Sequence, residues 1–218
     1  MIQIVRAKKA NPNRHDAPAY ESSGRNVEQK RDEQLLAEHL EGRPGAFDEL
    51  VERYSRELFG FLCRFAGNAA AAEDIIQDTF VQVHLAAHTF DPARSFKPWL
   101  YTIAANKARD YLRSRSRRQE YSLDAQIDED GPSAAQNLED DAASQEEEFD
   151  ASEQRALVQR IVNEMPEHFR MILTLGYFQQ LPYAEIATIL DIPVGTVKSR
   201  LHAAVNHFAK LYKSRVAT

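Results

Sequence analysis

Hydrophobic positions along this chain recur at helical spacing, and no segment of useful length alternates with period two. From Asp32, the residues Leu35, Leu36, His39 and Leu40 mark a first helix that stops at Gly42, and Pro44-Gly45 breaks the chain. Phe47, Leu50, Val51, Tyr54, Leu58, Phe61, Leu62 and Phe65 predict one long amphipathic helix ending near Gly67-Asn68. A third is predicted over about 69–89, with Ile75, Ile76, Thr79, Phe80 and Val83 on one face, before the turn signal Asp91-Pro92. A fourth runs over about 98–117, with Leu100, Ile103, Ala104, Ala108, Tyr111 and Leu112 inward. The pattern then lapses. It resumes at about Ala151 with Leu157, Val158, Ile161 and Val162, and halts at Met165-Pro166. Phe169, Ile172, Leu173 and Leu175 mark the next helix, and Tyr183 to Leu190 and Gly195 to about Lys213 give two more across a very short turn. The expected fold class is all-α: two small helical domains joined by an acidic flexible linker.

Composition first obscures this picture and then sharpens it. With 27 Lys+Arg against 33 Asp+Glu, the 218 residues carry a net charge of −6, which taken whole argues against a nucleic-acid partner. Resolved along the chain, residues 1–118 hold 19 basic and 16 acidic side chains, 119–153 hold none and 13, and 154–218 hold 8 and 4. All the negative excess lies between two mildly basic blocks, as expected of two domains and a tether. The expected organisation is a disordered N-terminal extension over 1–30, a first domain over 31–118, an acidic linker over 119–152 and a second domain over 153–218. The linker has only Leu123, Ile127, Leu138 and Phe149 as scattered large apolar residues, too few to offset the entropy of ordering it. The single cysteine, Cys63, excludes an internal disulfide framework and a cysteine-only zinc site, and its apolar neighbours make it a packed thiol. No apolar run approaches the roughly 20 residues of a membrane helix, and Met1 to Lys9 is too short an apolar start for a signal peptide. A soluble, cytoplasmic protein is expected.

Three constellations carry candidate chemistry. In Tyr183 to Arg200, Ile186, Ala187 and Leu190 face inward, Asp191-Ile192-Pro193 makes the turn, and Val197 and Leu201 pack the following helix. Thr196 is a candidate cap, and Lys198, Ser199, Arg200 and His202 form an outer polar face suited to a major groove. An ordinary helical hairpin with a solvated face has the same spacing. The second constellation, Arg94 to Arg118, sets Arg94, Lys97, Lys107, Arg109, Arg113, Arg115, Arg117 and Arg118 against a lone Asp110. Phe96, Trp99, Tyr101 and Tyr111 are interleaved, and Thr102, Asn106, Arg109 and Arg113 share one stripe. Cations track phosphates, aromatics stack on bases and Asn reads a base edge; a core Trp99 and a solvated helix end is the plainer reading. The third is Glu73, Asp74, Gln77 and Asp78, opposite the core stripe and without a histidine at ligand spacing. It suits a protein partner better than metal or acid–base chemistry, and equally suits a merely solvated face.

Together these strings resemble the extracytoplasmic-function (ECF) sigma factors, the small two-domain class of the sigma-70 family. The matching segments are AEDIIQDTF (72–80), FDP (90–92), FKPWLYTIAANKARDYLR (96–113), MPEHFRMILTL (165–175) and LPYAEIATILDIPVGTVKSRLH (181–202), in that order. The resemblance implies sigma region 2 in the first domain and region 4 in the second. It implies that Asp74, Gln77, Asp78 and Phe80 dock the β′ subunit of core RNA polymerase. It places Arg94, Lys97, Trp99, Asn106, Arg109 and Arg113 on the −10 promoter element, where a non-template base is flipped into a pocket. Thr196, Lys198, Ser199 and Arg200 fall on the helix that reads −35 DNA. The linker would thread toward the polymerase cleft, its carboxylates filling cationic channels meant for RNA, alongside contacts to β. Core polymerase, promoter DNA and an anti-sigma factor are the implied partners; no catalytic centre, cofactor or metal is implied. Three positions depart from the pattern: His84 stands where an aromatic is usual, Ala203 where a base is frequent, and Asp191 where Gly is common. The rivals are a helix-turn-helix regulator acting without polymerase, which leaves the basic-aromatic block unused, and a metal enzyme resting on Asp74 and Asp78 alone.

Overall fold

The computed structural model describes the backbone over residues 30–122 and 145–216 and side chains over 30–118 and 153–216. The expected N-terminal extension and most of the expected linker lie outside the described residues. The described residues form eight α-helices in order: α1 (Asp32–Leu40), α2 (Ala46–Ala66), α3 (Ala69–Ala86), α4 (Phe96–Ser122), α5 (Gln145–Glu164), α6 (Glu167–Leu173), α7 (Tyr183–Leu190) and α8 (Val194–Val216). A 3₁₀ turn, Ala87–Thr89, closes α3, and a π turn, Thr174–Phe178, extends α6. Among the described residues there is no strand.

The first four helices form one bundle and the last four a second, and each boundary has a local cause. Asn68 caps α3, its Oδ1 accepting the Ala71 N–H at 2.6 Å; such a cap is worth about 1 kcal/mol. Glu33 on α1 accepts the Phe96 N–H at 3.0 Å, so a carboxylate of the first helix sits on the positive end of α4. Asp32 binds both Arg53 and the Tyr54 hydroxyl of α2. These two acids fix α1 across the bundle and set where α4 begins. Inside, Phe61, Phe65, Phe96 and Tyr101 are the bulkiest fully buried side chains, each stabilising by about 1.5–3 kcal/mol. Ala104, Ala105 and Ala108 are fully buried as well, and their small size lets α4 pack against α2 and α3 on one side and α7 on the other.

The second bundle is built on a tight turn. Asp191 ends α7 in the left-handed conformation, φ 52° and ψ 52°, and its N–H reaches the Thr188 carbonyl at 3.3 Å. The glycine expected there is thus replaced by one of the few residue types that tolerate this backbone. One reading of the turn needs correction. Thr196 is not the cap of α8: the helix starts at Val194, and the Pro193 carbonyl accepts the Thr196 N–H at 2.8 Å. Leu190 packs partly buried against the core as expected, and Ile189 beside it is buried as well. Helix α4 also overruns its expected end by five residues, to Ser122, and α5 starts at Gln145 rather than near Ala151.

The two bundles touch. α7 lies on α4, and α5 and the π turn lie on α2, so the buried apolar cluster runs without interruption from one bundle into the other. At Gly67 the bundles approach closely: its φ is +84°, and a Cβ there would stand 2.7 Å from the Asn163 side chain of α5.

Candidate nucleic-acid interface

Helix α4 sorts its residues by angle. Trp99, Thr102, Asn106, Arg109 and Arg113 recur at steps of three and four and occupy one stripe. Asn106 and Arg113 are exposed, and Arg109 is half-buried with its Nη1 donating to Asn106 Oδ1 at 2.8 Å. That bond joins the exposed amide to a guanidinium whose Nε lies 3.8 Å from Glu167 of α6. Trp99 stands at the head of the stripe, half-buried against Phe90 and Phe96 with ring centroids 5.1 and 5.8 Å away. Its packing holds one edge of the indole in place while part of the ring stays open to solvent. Arg113 pairs loosely with Asp110, 3.7 Å away on the same helix. Beyond it Arg117 continues the line, exposed.

Two expected members of this group stand elsewhere. Lys97 lies on the inward side of α4, its Nζ 2.7 Å from Glu57 of α2 and 5.8 Å from the Tyr101 ring centroid. It fastens α4 to α2. Arg94 is in the turn before α4, paired with Asp91 at 3.5 Å and otherwise exposed. The sequence placed both in a basic run; helix angle separates Lys97 from the stripe, and Arg94 stands before the helix begins.

The outer face of α8 is the second cationic surface. Lys198 and Ser199 are exposed and Arg200 and Thr196 half-buried, with the Ser199 hydroxyl donating to the Thr196 carbonyl at 3.2 Å. Among the described residues no carboxylate lies within ion-pair distance of Lys198 or Arg200, and the sequence has no acid after Asp191. Val197 and Ala204, fully buried, seat the opposite side of the helix. Gly176 of the π turn approaches Leu201 so closely that a Cβ would come within 3.2 Å of it. A rigid, cation-bearing helix held from behind is suited to a major groove. Ala203 is half-buried on this helix and adds no charge.

The third surface is acidic. Glu73, Asp74, Gln77 and Asp78 are exposed along α3 and form no ion pair among the described residues. Phe80 does not join them. It is buried, 7% exposed, and meets Phe47 edge-on at 6.3 Å between centroids. The apolar side chains exposed on α3 are Val81 and Leu85. His84, unplaced by sequence reasoning, closes the top of this bundle: its Nδ1 is 3.0 Å from His39 Nε2, and both rings contact Phe47. Burial, then His84, holds the His39 imidazole below its ordinary pKa.

The rival metal reading finds no ligand set here, and Cys63 is the packed thiol expected of it. Among the described residues no three His, Cys, Asp or Glu side chains converge to hold a metal, Asp74 and Asp78 included. The Cys63 thiol is pushed up to about 11 by burial, far from the thiolate a nucleophile needs. No helix among the described residues is long and apolar enough to cross a membrane.

Comparison with known proteins agrees with this layout. Residues 50–118 match the family Sigma-70 region 2, and residues 155–208 match Sigma-70, region 4. The chain is 36% identical to the RNA polymerase sigma-H factor of Pseudomonas aeruginosa over 81% of its own length and 91% of the relative's. It is 35% identical to the ECF RNA polymerase sigma-E factor of Escherichia coli over 81% and 92%. With the ECF RNA polymerase sigma factor SigW of Bacillus subtilis it shares 33% identity over 74% and 86%. Two solved structures share the fold. CnrH in complex with the cytosolic domain of CnrY aligns with a TM-score of 0.62 and 24% identity, over 84% of this chain and 97% of that one. The sigma factor RpoE of Bartonella quintana, in complex with the anti-sigma factor NepR, aligns at 0.60 and 23%, over 78% and 98%.

Proposed function

The chain belongs to the ECF class of the sigma-70 family, and on that premise we propose how its surfaces divide the work of starting transcription. It is an RNA polymerase sigma factor: it binds core polymerase and directs initiation at promoters through −10 and −35 elements. The observation that carries the division is the coexistence, in one chain, of two cationic helical faces and one unpaired acidic face. The stripe of α4 reads the −10 element, Trp99 stacking on an exposed base, Asn106 contacting a base edge and Arg109 and Arg113 neutralising phosphates. The face of α8 reads −35 duplex, Lys198 and Arg200 on phosphates or guanine edges and Ser199 within reach of either. Asp74, Gln77 and Asp78 dock the β′ subunit, with Val81 and Leu85 as apolar contacts beside them and Phe80 supporting the face from beneath.

Under this division Lys97 and Arg94 act through position: Lys97 aligns α4, and Arg94 lies beside the entry to the stripe. The protein supplies no reacting group, and bond formation belongs to the polymerase. The site of action is the cytoplasm, where core enzyme and promoter meet. The same three surfaces are the targets an anti-sigma factor would cover. A helix-turn-helix regulator without polymerase accounts for α7 and α8 and leaves the α3 and α4 faces without use.

Assembly tests the reading. Mixed with purified core polymerase, the chain is expected to co-elute as one complex on size exclusion, and the complex to retain double-stranded promoter DNA that neither component retains alone. Separate elution would remove the polymerase from the account.

A further inference from the structure

Along the middle of α2, Arg53, Arg56 and Glu57, Gly60 and Arg64 recur at steps of three and four and share one face. They line a groove of about 400 Å³ whose other wall is Phe178 of the π turn and the following Gln179. We propose that this groove binds a polyphosphate anion, held between the Arg56 and Arg64 guanidiniums and the Gln179 amide. The site stands apart from the −10, −35 and polymerase faces, and its ligand is a small molecule. Its volume suits one, because pockets for ligands of nucleotide size run to about 300–1,000 Å³.

The charges facing the groove are not equally engaged. Arg53 is bound to Asp32 and, at 2.7 Å, to Glu49. Glu57, the carboxylate of the lining, is held by Lys97 at 2.7 Å. Arg56 is exposed and forms no ion pair or hydrogen bond among the described residues. Arg64 is half-buried and has no carboxylate at ion-pair distance among them either; burial holds its guanidinium below the ordinary pKa. Its Nη1 donates to the Gly60 carbonyl at 2.9 Å and its Cζ lies 5.1 Å from the Phe178 ring centroid, so the fork lies along the groove. Arg170, half-buried nearby, gives its guanidinium to the carbonyls of Phe65, Asn163 and Met165. Arg64 reaches a single carbonyl. A cation partly withdrawn from water without a counter-ion is destabilising, and an anion in the groove offsets that cost.

Gly60 opens the floor. It is buried in the middle of α2, where only proline is less favourable to the helix. A Cβ there would stand 3.1 Å from Arg64 Nη1, so the bare backbone is what lets the guanidinium lie down over it. Arg56 and Arg64 stand four residues to either side of Gly60, which sets their Cα atoms about 12 Å apart along the axis. Two forks converging from that separation fit an anion longer than one phosphate, each binding it by paired charge-assisted bonds. On the opposite wall Gln179 Oε1 accepts the Tyr101 hydroxyl at 3.4 Å, which leaves the Gln179 amide NH2 as a further donor at the groove.

Calorimetric titration of the full chain with pyrophosphate, at low salt and without divalent metal, is expected to show one site per chain, and the bound anion to raise the unfolding midpoint. Orthophosphate, too short to engage both forks, is expected to bind at least about 10-fold more weakly. A nucleoside triphosphate separates the two sources of this chemistry: tighter binding than pyrophosphate assigns the site to a nucleotide, equal binding to inorganic polyphosphate. Arg56→Gln with Arg64→Gln is expected to weaken pyrophosphate binding by at least about 10-fold. Lys198→Ala with Arg200→Ala, on the α8 face, is expected to leave it unchanged. Gly60→Ala is favoured by the helix and displaces the Arg64 fork, so a several-fold loss of affinity is expected in a chain that stays folded. If the paired arginine variant fails to fold, Gly60→Ala decides, and full affinity there overturns the site. Absence of pyrophosphate binding to the parent chain overturns it as well, as does binding that depends on Lys198 and Arg200 rather than on Arg56 and Arg64. An oligonucleotide held through Arg56 and Arg64 that pyrophosphate does not displace gives the groove to nucleic acid and also sinks the proposal. None of these readouts uses core polymerase, so the site stands or falls apart from the functional reading above.

Discussion

Asp74→Lys combined with Asp78→Lys is expected to abolish assembly with core polymerase, raising the dissociation constant by at least about 100-fold, close to 3 kcal/mol. Both carboxylates are exposed on α3 and form no ion pair among the described residues, so reversal leaves no buried partner stranded. A partner surface that fits this face is cationic, and each lysine then meets like charge, which costs several kcal/mol where the contact is dry. The change is read by titrating labelled protein with core enzyme, with unchanged thermal unfolding as the control for folding. Retained affinity would move docking away from α3. The opposite substitution, Phe80→Ala, is expected to lower stability by about 3–5 kcal/mol, because Phe80 is packed under Phe47.

Lys198→Ala with Arg200→Ala is expected to weaken −35 recognition by about 10- to 100-fold, at roughly 1–3 kcal/mol for a lost base contact and less for a phosphate contact. The salt dependence carries more information than the affinity. Each phosphate contact removed lowers the slope of log affinity against log salt by about 0.9, so the pair should flatten it by nearly 2 if both residues sit on phosphates. A smaller change in slope with relaxed sequence preference would instead assign a base edge to one of them. Among the described residues neither forms an ion pair that would hold it off the DNA, and α8 is seated from behind by Val197 and Ala204. The measurement is anisotropy of −35 duplex with the assembled holoenzyme across a salt series. Unchanged affinity and slope would mean another face reads the duplex.

The helices were largely legible because their signals are local. α7 begins and ends where its apolar spacing, Pro182 and the αL-tolerant Asp191 put it. Boundaries failed where no apolar face exists to be counted. Residues 118–122 and 145–150 are rich in Arg, Gln and Glu, good helix formers with no stop signal, and the helices run through them. In the candidate sites, residue type found the right segments and helix angle decided membership. Lys97 turns to Glu57 and Phe80 turns into the core, and both facts follow from the 100° step between residues once the true core face is fixed. Contact between the bundles was not readable at all. The burial of Phe65, Tyr101 and Leu175 is written in their hydrophobicity, but the surface that buries them is written nowhere local. Arg64 and Arg170 drew no notice because an isolated arginine carries no pattern.

The net charge of the chain now has a spatial meaning. The described bundles present cations along α4 and α8 and acids on α3, and the net negative excess lies in the segment between them, most of it outside the described residues.

Run-off transcription with purified core polymerase tests the central claim most directly. Core enzyme plus this chain is expected to start from a single position on a promoter it controls, and core alone to give no specific transcript. Replacing either the −10 or the −35 element should remove that start. Failure of the chain to confer any specific start on core polymerase across such promoters, or starts indifferent to both elements, would contradict the account.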